Sequence, residues 1–434
     1  MPRVIVAGGG LAGMAAAAAL GQSGFAVDLL ESRPYLGGRA TSYQLPAGDG
    51  SEVIDNCQHI LLRCCVNLLD LYGRLGVSGR VAFHREFYFI EPGGRVSTFR
   101  AGILPAPLHF TGSFLAMSCL SLSDKLGIAR TLLAIRRERH RTDLDGITML
   151  EWLRQQGQTA VAMERFWRQI LVSAINEELD RMAASHGIQV FWLGFLSSSG
   201  AYEMGIPAVP LGDLYDAVAW SALPNVRLHP RTTVERIDGT RVEAGGREWS
   251  GDAVICALPF ERVPAVIPSL KLDLQDWDHS PITGIHLWFD RAVTELPHGT
   301  LLDRTIQWFF NKSEGRYIQL VVSASRSLLE TPRQEVIDLA CRELAEFLPA
   351  VRGATLLKAH VVKEVRATFS AKPGLERLRP AQTTAIPNLF LAGDWTRSGW
   401  PATMEGAVRS GYLAAEAAAA SLGAPAKFLL PDMA

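Results

Sequence analysis

Unbroken apolar runs and alternating ones divide this chain into parts with different architectures. Val4–Ala7 and Ala26–Leu30 are short and nearly all apolar, the mark of parallel strands buried on both faces. An alanine-rich stretch between them reads as a helix. Residues 4 to 39 therefore predict strand, glycine turn, helix, second strand and second glycine turn. Farther on, Leu61, Leu62, Val66, Leu69 and Leu71 predict a mostly apolar helix. Alternation in REFYFIEPGGRVSTFRA predicts a hairpin turning around Pro92 to Gly94.

Residues 124 to 220 read as largely helical, with apolar spacing in LEWLRQQG and ERFWRQILVSAINEELDRMAA. Strand patterns then return at Thr233 to Ile237, Arg241 to Ala244 and Asp252 to Leu258, and again at 282 to 290 and 317 to 324. A helix is expected from Gln334 to Phe347, a strand from Asn388 to Ala392, and a long helix from near Thr403. The order implies interleaving: a nucleotide-binding domain from 1–80, 220–275 and 366–434, and a substrate domain from 81–219 and 276–365.

The chemistry begins in the first turn. Gly8, Gly10 and Gly13 have the GxGxxG spacing at a helix entrance. Gly8 permits the tight turn, Gly10 lets backbone approach a pyrophosphate, and Gly13 lets helix pack closely on strand. The helix N-terminus adds free N–H groups and a positive dipole end. Glu31 ends the second strand 18 residues past Gly13, where a carboxylate accepts hydrogen bonds from a ribose and repels a ribose phosphate. At this point FAD and NAD both fit. The far C-terminus separates them, because a strand ending at Gly393 and Asp394, then a loop, then a helix, returns a second element to the same nucleotide. An NAD enzyme has no use for that element; a flavin does, since its ribityl chain and ring extend beyond the pyrophosphate.

Composition leaves this picture standing. The chain has 434 residues with 48% hydrophobic and 20% charged content, enough for about two or three folded domains. A net charge of −1 gives no reason to expect a nucleic-acid partner. Six cysteines show no CxxC pair and no metal spacing, so no metal is expected, and the pattern fits a reducing compartment. The chain opens directly into a strand without a signal-like segment, which makes the cytoplasm the expected location.

One stretch bears on location. Between Arg100 and Asp124 lie 23 uncharged residues, with Pro105 and Pro107 against a straight spanning helix. KLGIARTLLAIRRERHR follows, placing Lys125, Arg130, Arg136, Arg137, Arg139 and Arg141 among Leu126, Ile128, Leu132, Leu133 and Ile135. Two readings stand: a core-packed helix with a solvated basic face, or a part, 101–141, that rests peripherally on the inner face of the cytoplasmic membrane.

VIVAGGGLAG with LLE, then LGGRA, then LAGDW and MEGAVRSG, resemble the flavin amine oxidase and phytoene desaturase superfamily. Within it, DNCQHILLRCC and GWPATMEGAVRSG are most similar to the hydroxysqualene dehydroxylases. The resemblance implies an α/β fold: a Rossmann-like FAD-binding domain of the glutathione reductase type, interleaved with an α+β substrate domain that has a mixed sheet and a helical subdomain. It implies FAD as cofactor, hydroxysqualene or a similar long isoprenoid as substrate, and NADPH or a reductase as electron donor. No second GxGxxG suggests a dedicated NADPH domain.

Carried over, the resemblance places Gly8, Gly10, Leu11, Ala12, Gly13, Glu31, Ser32, Arg33, Gly38, Arg39 and Ala40 at the ADP half of FAD, and Val234 in the adenine-side hairpin. Gly393, Asp394, Thr403, Met404 and Ala407 line the ribityl and ring side, and Asn56 and Gln58 the hydroxyl or the flavin edge. Amine oxidases commonly carry an aromatic residue directly before Met-Glu-Gly; here it is Thr403, with Trp395 and Trp400 nearby. Reductive dehydroxylation needs a proton donor, for which Asp55, His59 and Glu405 are the candidates. Their structural alternatives are a helix cap for Asp55, a packed ring for His59 and dipole compensation for Glu405. Desaturation of a carotenoid-like polyene, oxidation of an amine and a flavin-binding scaffold without catalysis are the competing functions.

Overall fold

A computed structural model describes residues 1–47 and 50–433. The nucleotide half is a five-stranded parallel sheet in the order Val226–His229, Ala26–Leu30, Arg3–Ala7, Ala253–Cys256, Leu389–Leu391. Three distant stretches of sequence thus supply one sheet. Its central strands are covered on both faces, which is why they read as continuous apolar runs. Helix Leu11–Gln22 packs on helix Met404–Ser421 through small residues: a Cβ at Gly411 would stand 2.1 Å from the Ala12 carbonyl oxygen. The first and last helices are therefore locked side by side over the sheet.

The second half is a seven-stranded sheet in the order Leu356–Phe369, His279–Phe289, Tyr317–Ser323, Trp308–Ser313, His298–Leu301, Glu86–Ile90, Val96–Arg100. All its pairs are antiparallel except His298–Leu301 with Glu86–Ile90. Ile285, Leu287, Leu320 and Ile318 pack on helix Arg333–Phe347 through Val336, Ala340 and Leu344. The alternate positions form the inner face, where His360, His286, Gln319, Phe310 and His298 lie directly opposite one another along five strands. A helical part built from Leu122–Glu138, Met149–Gln155, Gln169–Ile175 and Ala184–Phe191 buries Trp152, Trp167 and Phe191. The α/β fold class expected from the sequence is the one observed.

Three local expectations are corrected. The apolar stretch around residues 61 to 71 holds a two-residue strand, Leu61–Leu62, paired with Met204–Pro207, and its helix runs only from Val66 to Arg74. Asp55 closes the strand Gly50–Asp55 and does not cap the helix that follows it in the chain, Val66–Arg74; its carboxylate accepts instead from the N–H of Leu211, at the start of the short helix Leu211–Leu214. Met204–Pro207 is a strand inside the stretch read as largely helical.

Buried histidines give this fold an acid sensitivity. Burial pushes the pKa values of His186, His286 and His298 down to about 3, so all three are neutral in the folded protein. In the unfolded chain each takes a proton near an ordinary value of about 6.5. Stability from this source is whole above about pH 6.5 and is lost as pH falls toward 3, at about 1.4 kcal/mol per unit of depression per group. Melting temperature should therefore begin to fall below about pH 6.5, before ordinary carboxylates titrate, and His298→Phe should flatten that decline. A melting temperature unchanged down to pH 5 in the parent protein would contradict this.

Candidate functional site

The strand Arg3–Ala7 runs into Gly8 to Gly13, and the helix that follows has Gly10 at its N-cap with no side-chain cap. The backbone itself is the donor surface there. A Cβ at Gly13 would lie 1.9 Å from the Gly8 carbonyl oxygen, so the helix entrance closes on the turn only with glycine at this position. Leu11 and Ala12 occupy the helix's first turn. Glu31 braces the cradle: its carboxylate accepts from Gly9 N–H (2.8 Å), Ser32 Oγ (3.0 Å) and Arg33 N–H (2.7 Å). The second glycine turn rides on the first, with Gly37 N–H donating to the Gly9 carbonyl (2.9 Å) and Arg33 Nη1 to the Gly38 carbonyl (3.0 Å). Ala40 is buried just beyond this turn. Thr232 N–H donates to the Glu31 carbonyl (2.8 Å), which sets the hairpin strand Val234–Asp238 beside the same cradle.

The C-terminal strand arrives at the other end of the cradle. Arg39 Nη2 contacts both Asp394 oxygens at 2.7 Å, joining residues 355 positions apart. Asn56 Nδ2 donates to the Arg39 carbonyl (3.1 Å) and to Glu364 Oε2 (3.0 Å). Thr403 Oγ1 accepts from Gly406 N–H (3.0 Å) and caps the last helix, whose first turn carries Met404 and Ala407. The loop between is organised by Arg379, which no motif announces. This guanidinium is 1% exposed and donates to the carbonyls of Asp394 (2.9 Å), Thr396 (2.5 Å) and Trp400 (2.8 Å), to Ser398 Oγ (3.1 Å) and to Glu376 (2.6 Å). Trp395 and Trp400 are buried with their Nε1 atoms committed to the Leu258 carbonyl and to Asp432. Neither is free to wall an amine cage.

The three proton-donor candidates are each held by hydrogen bonds. Asp55 accepts from Ser42 Oγ (2.7 Å), Leu211 N–H (2.9 Å) and Lys312 Nζ (3.1 Å). His59 Nδ1 lies 2.8 Å from the Cys57 carbonyl, an acceptor only, so Nδ1 carries the hydrogen and Nε2 is left as an acceptor. Burial lowers the His59 pKa and keeps the ring neutral. Glu405, 1% exposed and pushed up to about 7 by burial, accepts from Asn67 N–H (3.2 Å), Asn67 Nδ2 (2.8 Å) and Leu68 N–H (2.7 Å). It caps the helix Val66–Arg74 from 338 positions away. These hydrogen bonds tie Asp55 to Lys312, His59 to the backbone at Cys57 and Glu405 to the start of the helix Val66–Arg74.

A cation that the sequence did not single out sits beside Asp55. Lys312 Nζ donates to Asp55 and, at 3.1 Å, to Gln58 Oε1, leaving one of its three N–H donors uncommitted among the described residues. Tyr317 Oη lies 2.7 Å from His286 Nδ1, and its ring stacks on Trp288 at 4.5 Å. Asp55, Lys312, Tyr317 and His84 line a cleft of about 380 Å³. A second cavity, about 350 Å³, is walled by Phe99, Phe110, Phe114, Leu132, Phe166 and Phe191. No cluster of metal-ligating side chains occurs among the described residues.

The donor set fits a flavin dinucleotide. Backbone N–H groups and a helix N-terminus would meet a pyrophosphate, Glu31 would meet a ribose, and a second strand and helix arrive at Asp394 and Thr403, where the remaining length would lie. Known proteins agree. The family model for flavin-containing amine oxidoreductases matches residues 11–419. A 15-cis-phytoene desaturase of Narcissus pseudonarcissus is 28% identical over 95% of this chain and 78% of its own. A probable zeta-carotene desaturase of Synechococcus elongatus is 26% identical over 96% of this chain and 98% of its own. An oxidoreductase from Methanosarcina mazei shares the fold at a TM-score of 0.69 and 18% identity, covering 94% of this chain and 98% of its own. Spanning both ends of the split cradle, these matches make the chain a member of the flavin-containing amine oxidoreductase family, an oxidoreductase with FAD as cofactor.

Proposed function

We propose that this enzyme reductively removes the hydroxyl of hydroxysqualene to give squalene. The observation that carries the reading is a lysine ammonium held by Asp55 and Gln58 at a cleft of about 380 Å³, in a chain that also has a separate aromatic and aliphatic cavity sized for part of a long isoprenoid. A pure hydrocarbon has no use for such a donor. The names of the relatives, carotenoid desaturases, support an isoprenoid substrate, and the commitment of Trp395 and Trp400 to packing speaks against an amine.

In this reading the ADP half of the cofactor is held by Gly8, Gly10, Leu11, Ala12, Gly13, Glu31, Ser32, Arg33, Gly38, Arg39, Ala40 and Val234. The remainder is held by Asn56, Gln58, Gly393, Asp394, Thr403, Met404 and Ala407. When bound and reduced, FAD supplies the hydride. Lys312 supplies the proton to the leaving oxygen, Asp55 and Gln58 orient the ammonium, and the neutral His59 accepts a hydrogen bond at Nε2. The allylic C–O bond breaks, a C–H bond forms, and the hydroxyl departs as water; the substrate gains two electrons that the cofactor loses. NADPH or a partner reductase restores them. Desaturation of a carotenoid-like polyene remains the second reading, favoured by the relatives' names. The two run electrons in opposite directions: without oxygen, hydroxysqualene should oxidise the reduced cofactor, and a less conjugated polyene precursor should leave the oxidised cofactor unchanged. Reduction of the oxidised cofactor by the polyene would reverse the assignment.

A further inference from the structure

The helix Leu122–Glu138 has two stripes. Asp124, Ile128, Thr131 and Ile135 are buried against the core at the spacing of one helix face. Leu122, Leu126, Ala129 and Leu133 repeat that spacing about half a turn away and are exposed, the leucines at 67, 65 and 59%. An ordinary surface helix is polar there. The segment before it adds Ile103, Leu104, Leu108 and Leu115, all exposed, and a contiguous apolar patch of this kind marks an interaction surface.

The surrounding charge identifies the occupant. Lys125, Arg130, Arg136 and Arg137 stand on the same helix without an acidic partner among the described residues, whereas Arg141 is paired with Glu138 and Asp143. The apolar cavity opens here as well: Leu108, Thr111, Ala129, Leu133 and Arg136 contribute to its wall. A second copy of the chain fits poorly, because a two-fold contact would set this cationic patch against itself. No helix among the described residues is long and apolar enough to cross a membrane, so the chemistry is that of a surface resting on one leaflet.

We propose that this face docks on a lipid leaflet bearing anionic headgroups. The exposed leucines enter the acyl layer, the four cations meet the phosphates, and the cavity takes its substrate from the leaflet without passage through water. The uptake step rests on the isoprenoid reading above; docking does not, and it is measured without substrate so that either can fail alone.

The test is sedimentation of the FAD-loaded chain with vesicles of phosphatidylcholine alone or containing phosphatidylglycerol. Wild type should bind, more strongly with the anionic lipid and less at high salt. The double variant Leu115→Glu, Leu126→Glu should bind at least about tenfold less, and Arg130→Glu, Arg137→Glu should lose the preference for anionic lipid. Both pairs are surface positions, so an unchanged flavin spectrum and melting temperature confirm that the variants are folded. Wild type remaining in the supernatant, or the leucine variant sedimenting like wild type, overturns the proposal. So does a wild-type dimer that the leucine variant converts to monomer without any vesicle binding, which would assign the face to a second copy.

Discussion

Gly13→Val is expected to purify without flavin. Even the first added carbon would stand 1.9 Å from the Gly8 carbonyl oxygen, so the turn must open or the helix must withdraw. Either movement displaces the N–H groups at Gly10 to Gly13 from the pyrophosphate. Overpacking of this kind costs about 1–3 kcal/mol of stability, and loss of the preorganised donors should weaken FAD by at least about a hundredfold, about 2.8 kcal/mol. Glu31→Gln is the companion that spares the packing. It removes the charge that accepts from Gly9, Ser32 and Arg33 and should weaken FAD by about tenfold with the fold intact. Flavin content by absorbance and FAD titration of the apoprotein measure both. Full flavin occupancy in Gly13→Val would remove the glycine turn from the cofactor site.

Lys312→Met should lower product formation by about 10²–10⁴-fold, the usual range for loss of a positioned acid, with flavin content unchanged. Two effects are mixed in that variant. Asp55 is buried and loses its cation while keeping Ser42 and Leu211, and breaking a buried pair is itself destabilising by a few kcal/mol. Adding Asp55→Asn removes the stranded charge, so the double variant should recover stability but not turnover. Lys312→Arg keeps a cation and should retain part of the rate. Normal turnover in Lys312→Met would end the proton-donor assignment.

What the sequence made legible was local. The glycine turn, Glu31 and the return through Gly393 to Thr403 are each readable from residue type and local spacing, although Asp394 meets Arg39 from 355 positions away. Lys312 was invisible because its partner Asp55 is 257 positions away and the hairpin between Asn311 and Tyr317 carries no motif. The helix start at Val66 was misplaced for the same reason: the capping carboxylate comes from Glu405, not from the preceding residues. The strand Leu356–Phe369 escaped because it is an edge strand, and its Lys358, Lys363, Glu364 and Arg366 interrupt the alternation that a covered strand would show. Arg379 binds carbonyls above all, and carbonyls leave no signature in side-chain pattern.

The central claim is that this split flavin site runs in the reductive direction on a hydroxylated isoprenoid. Identifying the product after a single anaerobic turnover tests it most directly. Protein reduced in advance and mixed with hydroxysqualene should yield squalene in a one-to-one ratio with the flavin that becomes oxidised. Recovery of unchanged hydroxysqualene beside fully reduced flavin, from protein that converts a less conjugated polyene to a more conjugated product when oxidised, would contradict it.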